Sequence, residues 1–135
     1  MPLSALLCRE QVACFEPGDQ GGTFAAHALL CAVGLAVLGR LLTPSEVTRR
    51  AAHAALLERA LGELARRKNL VLRGRGFLWA LVLNEPRAAA VRDRAFTAGL
   101  LVNAARPNVL RLMPSLEVSR TEISEMCDLL TLALD

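Results

Sequence analysis

Three places in the sequence carry residue types that could do chemistry: a glycine-containing loop, an arginine among apolar residues, and a single lysine. The loop, Asp19-Gln20-Gly21-Gly22-Thr23-Phe24, leads into an apolar stretch that we predict to be helical from about Ala25. Backbone N–H groups at such a junction, together with a threonine hydroxyl, suit a phosphate group. An ordinary turn with a helix cap explains the same residues, so the pattern alone leaves both interpretations open.

Arg111 lies within Asn108-Val109-Leu110-Arg111-Leu112-Met113-Pro114, a predicted strand in which its neighbours are apolar. A guanidinium there must find an anion or point to solvent, because burying an unpaired charge is costly. Its planar fork suits a carboxylate. From these residues alone, a structural ion pair is the simpler expectation.

The 16 basic residues are 15 arginines and one lysine, Lys68, which follows Arg66-Arg67 at a predicted helix end. Basic residues in a last helical turn usually interact with the helix dipole. Of the two histidines, we expect His27 to be a satisfied core residue and His53 to be partly exposed on a helix. The sequence contains no zinc-like spacing, nucleophile elbow or P-loop. We therefore predict no metal site and no catalytic residue on this chain.

The composition indicates one folded domain. The chain has 135 residues, of which 53% are hydrophobic and 21% charged, which excludes a disordered chain. The net charge of +3 is too small to indicate nucleic-acid binding. Residues 20–39 carry no charge, but the strongly helical apolar part, about Ala25 to Leu38, is shorter than the roughly 20 residues of a membrane span. A core helix is favoured, and a single membrane span is the weaker alternative.

The cysteines and the N-terminus bear on the cellular compartment. The four cysteines form no C-x-x-C pair, and the N-terminus, MPLSALLCRE, is too short and too soon charged for a signal peptide. We predict reduced, mostly buried thiols in a cytoplasmic protein. The cysteines are Cys8, Cys14, Cys31 and Cys127.

Helix signals are strong in the rest of the chain. Thr43-Pro44-Ser45-Glu46 predicts a helix start with a capping box, and the helix should run to about Lys68. Its apolar stripe consists of Val47, Ala51, Ala54, Leu57, Leu61 and Leu64. Ser119-x-x-Glu122 predicts a second capping box. The helix that follows it carries Ile123, Met126, Cys127 and Leu130 on one face.

Between these helices the sequence predicts four short strands and one further helix. Residues 70–83 read as two extended runs around Arg73-Gly74-Arg75-Gly76, the second run covered on both faces. Asn84 should cap the next helix, and Gly99 should end it. The remaining strands are predicted at residues 100–103 and 109–113. The fold class is therefore α+β, with a small, largely antiparallel sheet covered by helices.

The order of these pieces resembles the C-terminal portion of the class III, fold-type I, pyridoxal-phosphate aminotransferases, and most closely their acetylornithine/ornithine branch. The resemblance covers essentially the whole chain. It rests on the stretches Met1-Pro2-Leu3-Ser4-Ala5, Glu10-Gln11-Val12, the Phe15–Ala28 loop, Leu29–Leu41, Arg73-Gly74-Arg75-Gly76-Phe77-Leu78, Gly99-Leu100-Leu101-Val102, Asn108–Leu116 and the last helix from Thr121.

The resemblance implies a function and a set of site residues. The family moves an amino group between acetylornithine- or ornithine-like donors and 2-oxoglutarate, as in arginine biosynthesis. Residues 1–42 would be the end of the large cofactor domain, and residues 43–135 the small C-terminal domain. Thr23, with Gly22 before it, would bind the cofactor phosphate across a dimer interface. Arg111 would face the substrate or a glutamate of the other domain.

The chain also departs from the family. Ala25-Ala26-His27-Ala28 replaces the family's Gly-Gly-Asn-Pro, and Gln20 replaces its loop histidine. The sequence begins a few residues after the family's Schiff-base lysine, and Lys68 matches no family lysine. We therefore expect that the chain alone does not retain pyridoxal phosphate and is inactive.

The expected partners are a second copy of this chain or the missing large domain, with no nucleic acid and no membrane. The alternative function is a stand-alone, non-enzymatic module for amino-acid binding or dimerisation.

Overall fold

The computed structural model describes residues 3–23 and 26–135. It contains two compact units, Met1–Val47 and Thr48–Asp135, and each is described by itself. The elements follow the predicted order of helix, helix, strand, strand, helix, strand, strand, helix, after an early 3-10 turn at Glu10–Val12. The helices are α1 (Ala28–Leu41), α2 (Pro44–Arg67), α3 (Ala88–Thr97) and α4 (Arg120–Leu134). The strands are β1 (Val71–Arg75), β2 (Leu78–Val82), β3 (Asn103–Arg106) and β4 (Val109–Leu112).

The first unit contains α1 and the segment before it. The predicted helix start at Ala25 lies outside the described residues, and the helix begins at Ala28. None of its residues is buried, although Arg40 is its only charged residue. Leu3 packs against Gly34, where an added Cβ would collide with the leucine methyl group. The N-terminal residues Leu3–Ala5 and one side of α1 line an apolar concavity of about 300 Å³.

Helix α2 begins at Pro44, as predicted, and its end is fixed by the backbone. Asn69 adopts a left-handed φ of 52°, and the N–H of Leu70 donates to the carbonyl of Ala65 at 2.8 Å. This pattern is a Schellman motif, which satisfies carbonyls that the helix end leaves free. The predicted apolar stripe is buried only in its second half: Leu57, Leu61 and Leu64 are buried, whereas Val47 and Ala51 are exposed.

The four strands form one antiparallel sheet in the order β1-β2-β4-β3. The hairpin between β1 and β2 turns at Gly76, whose carbonyl accepts a hydrogen bond from the Trp79 indole N–H at 2.8 Å. The prediction that both faces of β2 are covered is wrong. Trp79 and Leu81 are buried, while Leu78 is 52% exposed and Ala80 is half-buried. Helices α2, α3 and α4 cover one face of the sheet, and within the described second unit the other face is open.

Two boundaries around α3 differ from the prediction. Asn84 does not cap this helix; its side-chain amide donates to the Asn69 carbonyl at 3.1 Å, and the N-cap position is Arg87. Strand β3 begins at Asn103 rather than at Leu100. The reason is that Leu100 completes the end of α3: its N–H donates to the Ala95 carbonyl at 2.8 Å, with Gly99 at a φ of 90°.

Helix α4 starts with the predicted capping box. The Ser119 hydroxyl accepts from the Glu122 N–H at 3.2 Å, and the Glu122 carboxylate accepts from the Ser119 N–H at 2.7 Å. One core joins α2, α3 and α4 to the sheet. Its buried members include Leu57, Leu61, Leu64, Trp79, Leu81, Val91, Leu110, Ile123, Met126, Cys127 and Leu130. The predicted α+β class is confirmed.

The prediction of mostly buried thiols is wrong. Cys8 and Cys14 are exposed and Cys31 is half-buried, and only Cys127 is buried; all four are free thiols. In residues 3–23 and 26–135, no single helix is long and apolar enough to cross a membrane; α1 and α2 meet that length and composition only as a bent pair.

Candidate functional site

The loop before α1 holds the two residues predicted to bind a phosphate, Gly22 and Thr23, and both are exposed. A turn fixes the chain just upstream. The Asp19 N–H donates to the Glu16 carbonyl at 3.1 Å, and the Glu16 N–H donates to the Asp19 carboxylate at 2.8 Å. Gly18 adopts a φ of 106° within this turn, a region that favours glycine. The hydroxyl of Thr23 makes no hydrogen bond to any other described residue.

The junction between this loop and α1 differs from the prediction. The helix begins at Ala28, so Thr23 is not at its N-terminus. Ala26 adopts a left-handed φ of 52°, and His27 is the N-cap. The His27 Nδ1 accepts a hydrogen bond from the Leu29 N–H at 3.3 Å. His27 is therefore an exposed helix cap, and the prediction of a core histidine is wrong. His53 is half-buried on α2, as predicted.

Pyridoxal phosphate, which the resemblance implies, has two ends that a protein must hold. Thr23, which is exposed and carries a hydroxyl, and the exposed backbone of Gly22 fit the phosphate end. The reacting end needs a lysine amine. Lys68 is the only lysine, and its ammonium is ion-paired with the carboxylate of Asp135. The residues of this chain therefore fit the phosphate of the cofactor and do not fit its reacting carbonyl.

Arg111 lies on the open face of the sheet, in the middle of β4. Its neighbours along the strand, Leu110 and Leu112, point into the core and are buried, while Arg111 is exposed. The register pairs Arg111 with Ala80 of β2 on one side and with Asn103 of β3 on the other. The structural ion pair expected from the residues alone is absent from the described residues.

The structure brings two further arginines to the same face. Arg73 and Arg75 of β1 line an open concavity of about 490 Å³ together with Leu78, Ala80, Val109 and Arg111. Arg73 is paired with Ala80, which separates it from Arg111. The sequence alone does not single out these arginines as site residues. Their spacing of two residues on a predicted strand was the available signal, because alternate residues share one face.

A second concavity borders Arg111 on its other side. It has a volume of about 280 Å³ and is lined by Leu101, Val102, Asn103, Arg111 and Met113. Leu101 and Met113 are 81% and 65% exposed. Arg111 thus stands between a basic region and an apolar one on the open face of the sheet.

The groups with shifted pKa values lie outside these two regions, in and beside α4. Burial raises the pKa of the Cys127 thiol, and the carboxylates of Asp128 and Glu63 add to this effect, while Arg67 opposes it. Hydrogen bonds from the backbone and then the side chain of Ser119 lower the pKa of Glu122. Within residues 3–23 and 26–135, no group of three or more His, Cys, Asp or Glu side chains is placed to hold a metal ion.

The sequence pattern that defines the family Aminotransferase class-III matches residues 1–134 of this chain. The acetylornithine aminotransferase of Ralstonia nicotianae is 42% identical over 134 residues, which are 96% of this chain and 34% of that protein. The acetylornithine aminotransferase of Gloeobacter violaceus is 43% identical over 128 residues, 93% of this chain and 32% of that protein. This chain therefore spans about a third of the length of the curated relatives that it matches.

A solved structure gives the same result. The crystal structure of N-acetylornithine aminotransferase from Stenotrophomonas maltophilia superimposes with a TM-score of 0.68 at 28% identity, covering 78% of this chain and 30% of that one. The element order, the antiparallel sheet and the sequence similarity agree along the chain. The chain belongs to the class III aminotransferase family.

Proposed function

We propose that this chain is the C-terminal third of a pyridoxal-phosphate-dependent transaminase that moves an amino group between acetylornithine- or ornithine-like donors and 2-oxoglutarate. The observation that carries the proposal is the 42% identity to an acetylornithine aminotransferase over 96% of the chain. In this proposal, residues 1–42 belong to the large cofactor domain and residues 43–135 form the small domain. The protein works in the cytoplasm, without nucleic acid or membrane.

Arg111 binds the carboxylate of the substrate in this proposal. Its exposure on the open sheet face and the lack of an ion pair among the described residues support the role. Gly22 and Thr23 bind the cofactor phosphate through the loop backbone and the threonine hydroxyl. When bound, the cofactor supplies an electron sink for the bond-breaking at the amino-acid carbon.

The chain alone is inactive in this proposal. Its only amine side chain, Lys68, is held by Asp135 at the end of α2. A spectrophotometric titration of the isolated chain with pyridoxal phosphate should show only the spectrum of the free cofactor. A visible absorbance band that sodium borohydride bleaches, with reduced cofactor attached to Lys68, would contradict the proposal. The Lys68→Gln variant is the matched control, because it cannot form such a bond.

A chimera tests the transaminase function directly. The matching last third of the Ralstonia nicotianae relative would be replaced by this chain, and transfer of the amino group from acetylornithine to 2-oxoglutarate would be measured. We expect measurable activity, which the Arg111→Gln chimera should lose through a raised KM. A folded chimera that binds the cofactor but shows no transfer would reject this function for the chain.

The exposed apolar surface of α1 suits contact with a partner protein. Leu29, Leu35 and Leu38 are each more than half exposed, and an apolar surface of this kind is typical of a protein interface. In the absence of the rest of the enzyme, this surface associates with a second copy of the chain. Light scattering should therefore show dimers or larger species, and Leu35→Glu should shift them towards monomer. A clean monomer of the unaltered chain at high concentration would contradict this part of the proposal.

A further inference from the structure

Three arginines converge on the open face of the sheet. Arg73 and Arg111 stand on strands β1 and β4, and the register pairs each of them with Ala80 of β2, which lies between them. Neighbouring strands are about 4.8 Å apart, so the two arginine Cα atoms are roughly 10 Å apart. Two extended guanidinium side chains at that separation can reach the same small ligand. Arg75 lies two residues beyond Arg73, on the same face.

The concavity between these arginines is positively charged, and no acidic side chain lies in its described lining. It has a volume of about 490 Å³, and its lining contains Arg73, Arg75 and Arg111 but no Asp or Glu. None of the three arginines makes an ion pair or a side-chain hydrogen bond to another described residue. Like charges brought together in this way repel each other, and a bound anion would relieve the repulsion.

Other arginines of the second unit are used differently. Arg94 donates to the Ala133 carbonyl at 2.6 Å, and Arg87 donates to the Leu134 carbonyl at 2.8 Å. Arg49 pairs with Glu117 at 2.8 Å. The guanidinium groups of these three arginines make hydrogen bonds or an ion pair within the second unit. The free guanidiniums of the open face are therefore not needed to close the core.

We propose that Arg73 is a second anion-binding residue, which acts with Arg111 to hold one small oxyanion, a carboxylate or a phosphate, above Ala80. The inference rests on the proposed function, since it adds Arg73 to the site assigned to Arg111. The planar guanidinium donates two parallel N–H bonds to such a group. Arg75 adds positive charge at the rim of the concavity.

Ala80 is part of the site because its side chain is small. A methyl group leaves the space between the two arginines empty, whereas a leucine side chain would fill it. The Ala80→Leu variant therefore removes the space and leaves all three charges in place. This separates a defined binding position from general attraction to a positive surface.

Isothermal titration calorimetry at low ionic strength tests the inference on the full 135-residue chain, with glutarate and inorganic phosphate as separate probes. We expect saturable binding of at least one probe, weakened about tenfold by Arg73→Gln, by Arg111→Gln and by Ala80→Leu. Arg59→Gln is the matched control, because Arg59 is exposed on α2 and carries the same charge. It should change the affinity by less than twofold. Circular dichroism confirms that each variant is folded.

The outcomes separate this inference from the proposed function. Binding of glutarate alone identifies a carboxylate site, and binding of phosphate alone a phosphate site. If Arg111→Gln abolishes binding while Arg73→Gln stays within twofold of the unaltered chain, the role of Arg73 is rejected and that of Arg111 stands. Equal weakening by Arg59→Gln, or no saturable binding at millimolar concentrations, rejects the anion site, whereas the transaminase function is decided by the chimera.

Discussion

The two units of this chain use apolar residues in opposite ways. Helix α1 in the first unit has one charged residue, Arg40, yet none of its residues is buried. Helix α2 carries charged residues along its length, yet Leu57, Leu61 and Leu64 are completely buried in the second unit. Burial therefore depends on a facing partner and not on apolar content. The second unit supplies its own partner in the sheet.

This difference matters for the two proposed site regions. Arg111 lies on one face of the sheet, and its neighbours Leu110 and Leu112 are buried in the core on the other face. The position of Arg111 is therefore fixed by residues of the second unit. Gly22 and Thr23 lie in an exposed loop before a helix that buries nothing. An apolar helix of this kind is typical of the interior of a larger fold. Of the two proposed site regions, the one around Arg111 therefore depends less on residues outside the chain than the loop at Gly22 and Thr23 does.

The reactivity of the cysteines is the strongest test of the comparison. Cys8 and Cys14 are exposed in the first unit, whereas Cys127 is buried in the core of the second, where burial raises the pKa of its thiol. We expect Cys127 to react with a maleimide or disulfide reagent at least about 10³-fold more slowly than the other two, because it reacts only when the core opens. Mass spectrometry of timed samples measures the rates. Similar rates at all three sites would show that the second unit is not stably folded.

The next largest expected difference between the units is in the loss of stability when one leucine of each unit is truncated to alanine. Leu61→Ala removes a completely buried side chain and should lower the free energy of unfolding by about 3 kcal/mol. Leu35→Ala in α1, at a residue 72% exposed, should change it by less than about 0.5 kcal/mol. Urea unfolding followed by the single tryptophan, Trp79, measures both. Equal effects would mean that α1 is part of the same cooperative core.

Much of the second unit could be predicted from the sequence, because its signals are local. Pro44 at a helix start and the Ser119–Glu122 capping box each act within one turn of helix, and both are confirmed. The predicted start of β3 and the predicted cap of α3 are wrong for the same reason. The Leu100 N–H donates to the Ala95 carbonyl, and the Asn84 side-chain amide donates to the Asn69 carbonyl. Which acceptor each donor finds depends on the folded geometry around it.

The candidate site also depends in part on non-local geometry that the local sequence does not predict. The sequence singles out Arg111, because an arginine among apolar strand residues must find an anion or solvent. It does not single out Arg73, because the position of Arg73 relative to Arg111 depends on the register of two strand pairs. Period-two spacing places Arg73 and Arg75 on one face, but only the order β1-β2-β4 brings that face next to Arg111. Non-local register is not encoded in any short stretch of sequence.

Glycine substitutions test how tightly the backbone is packed in each unit. Gly74 in β1 has a φ of 145°, and an added Cβ would collide with the Leu78 carbonyl oxygen. Gly74→Ala should therefore destabilise the chain by about 2 kcal/mol. At Gly34 in α1, the added Cβ meets only the end of the flexible Leu3 side chain, so Gly34→Ala should be nearly neutral. Thermal unfolding of both variants measures the contrast, and a larger loss for Gly34→Ala would reverse the comparison.

The helix caps give a smaller difference. Ser119→Ala breaks the hydrogen bond to the Glu122 N–H at the start of α4 and should cost about 1 kcal/mol. His27→Ala breaks a longer bond, 3.3 Å, at the start of α1, and should cost less because α1 buries no residue. Urea unfolding compares the two variants. A larger loss for His27→Ala would indicate that α1 contributes to the core after all.

The smallest effect is a dependence of stability on pH that originates in the second unit. The pKa of Glu122 is lower in the folded chain than in the unfolded chain, because its carboxylate accepts hydrogen bonds from Ser119. A lowered folded-state pKa adds stability above the unfolded-state pKa, and this stability is lost as the pH falls through the folded-state pKa. The unaltered chain should therefore be slightly more stable than Glu122→Gln at neutral pH, and the two should converge in acid. Urea unfolding of both chains between neutral and acidic pH measures this. If the difference in free energy of unfolding between the unaltered chain and Glu122→Gln stays constant down to strongly acidic pH, the charge of Glu122 contributes nothing to stability.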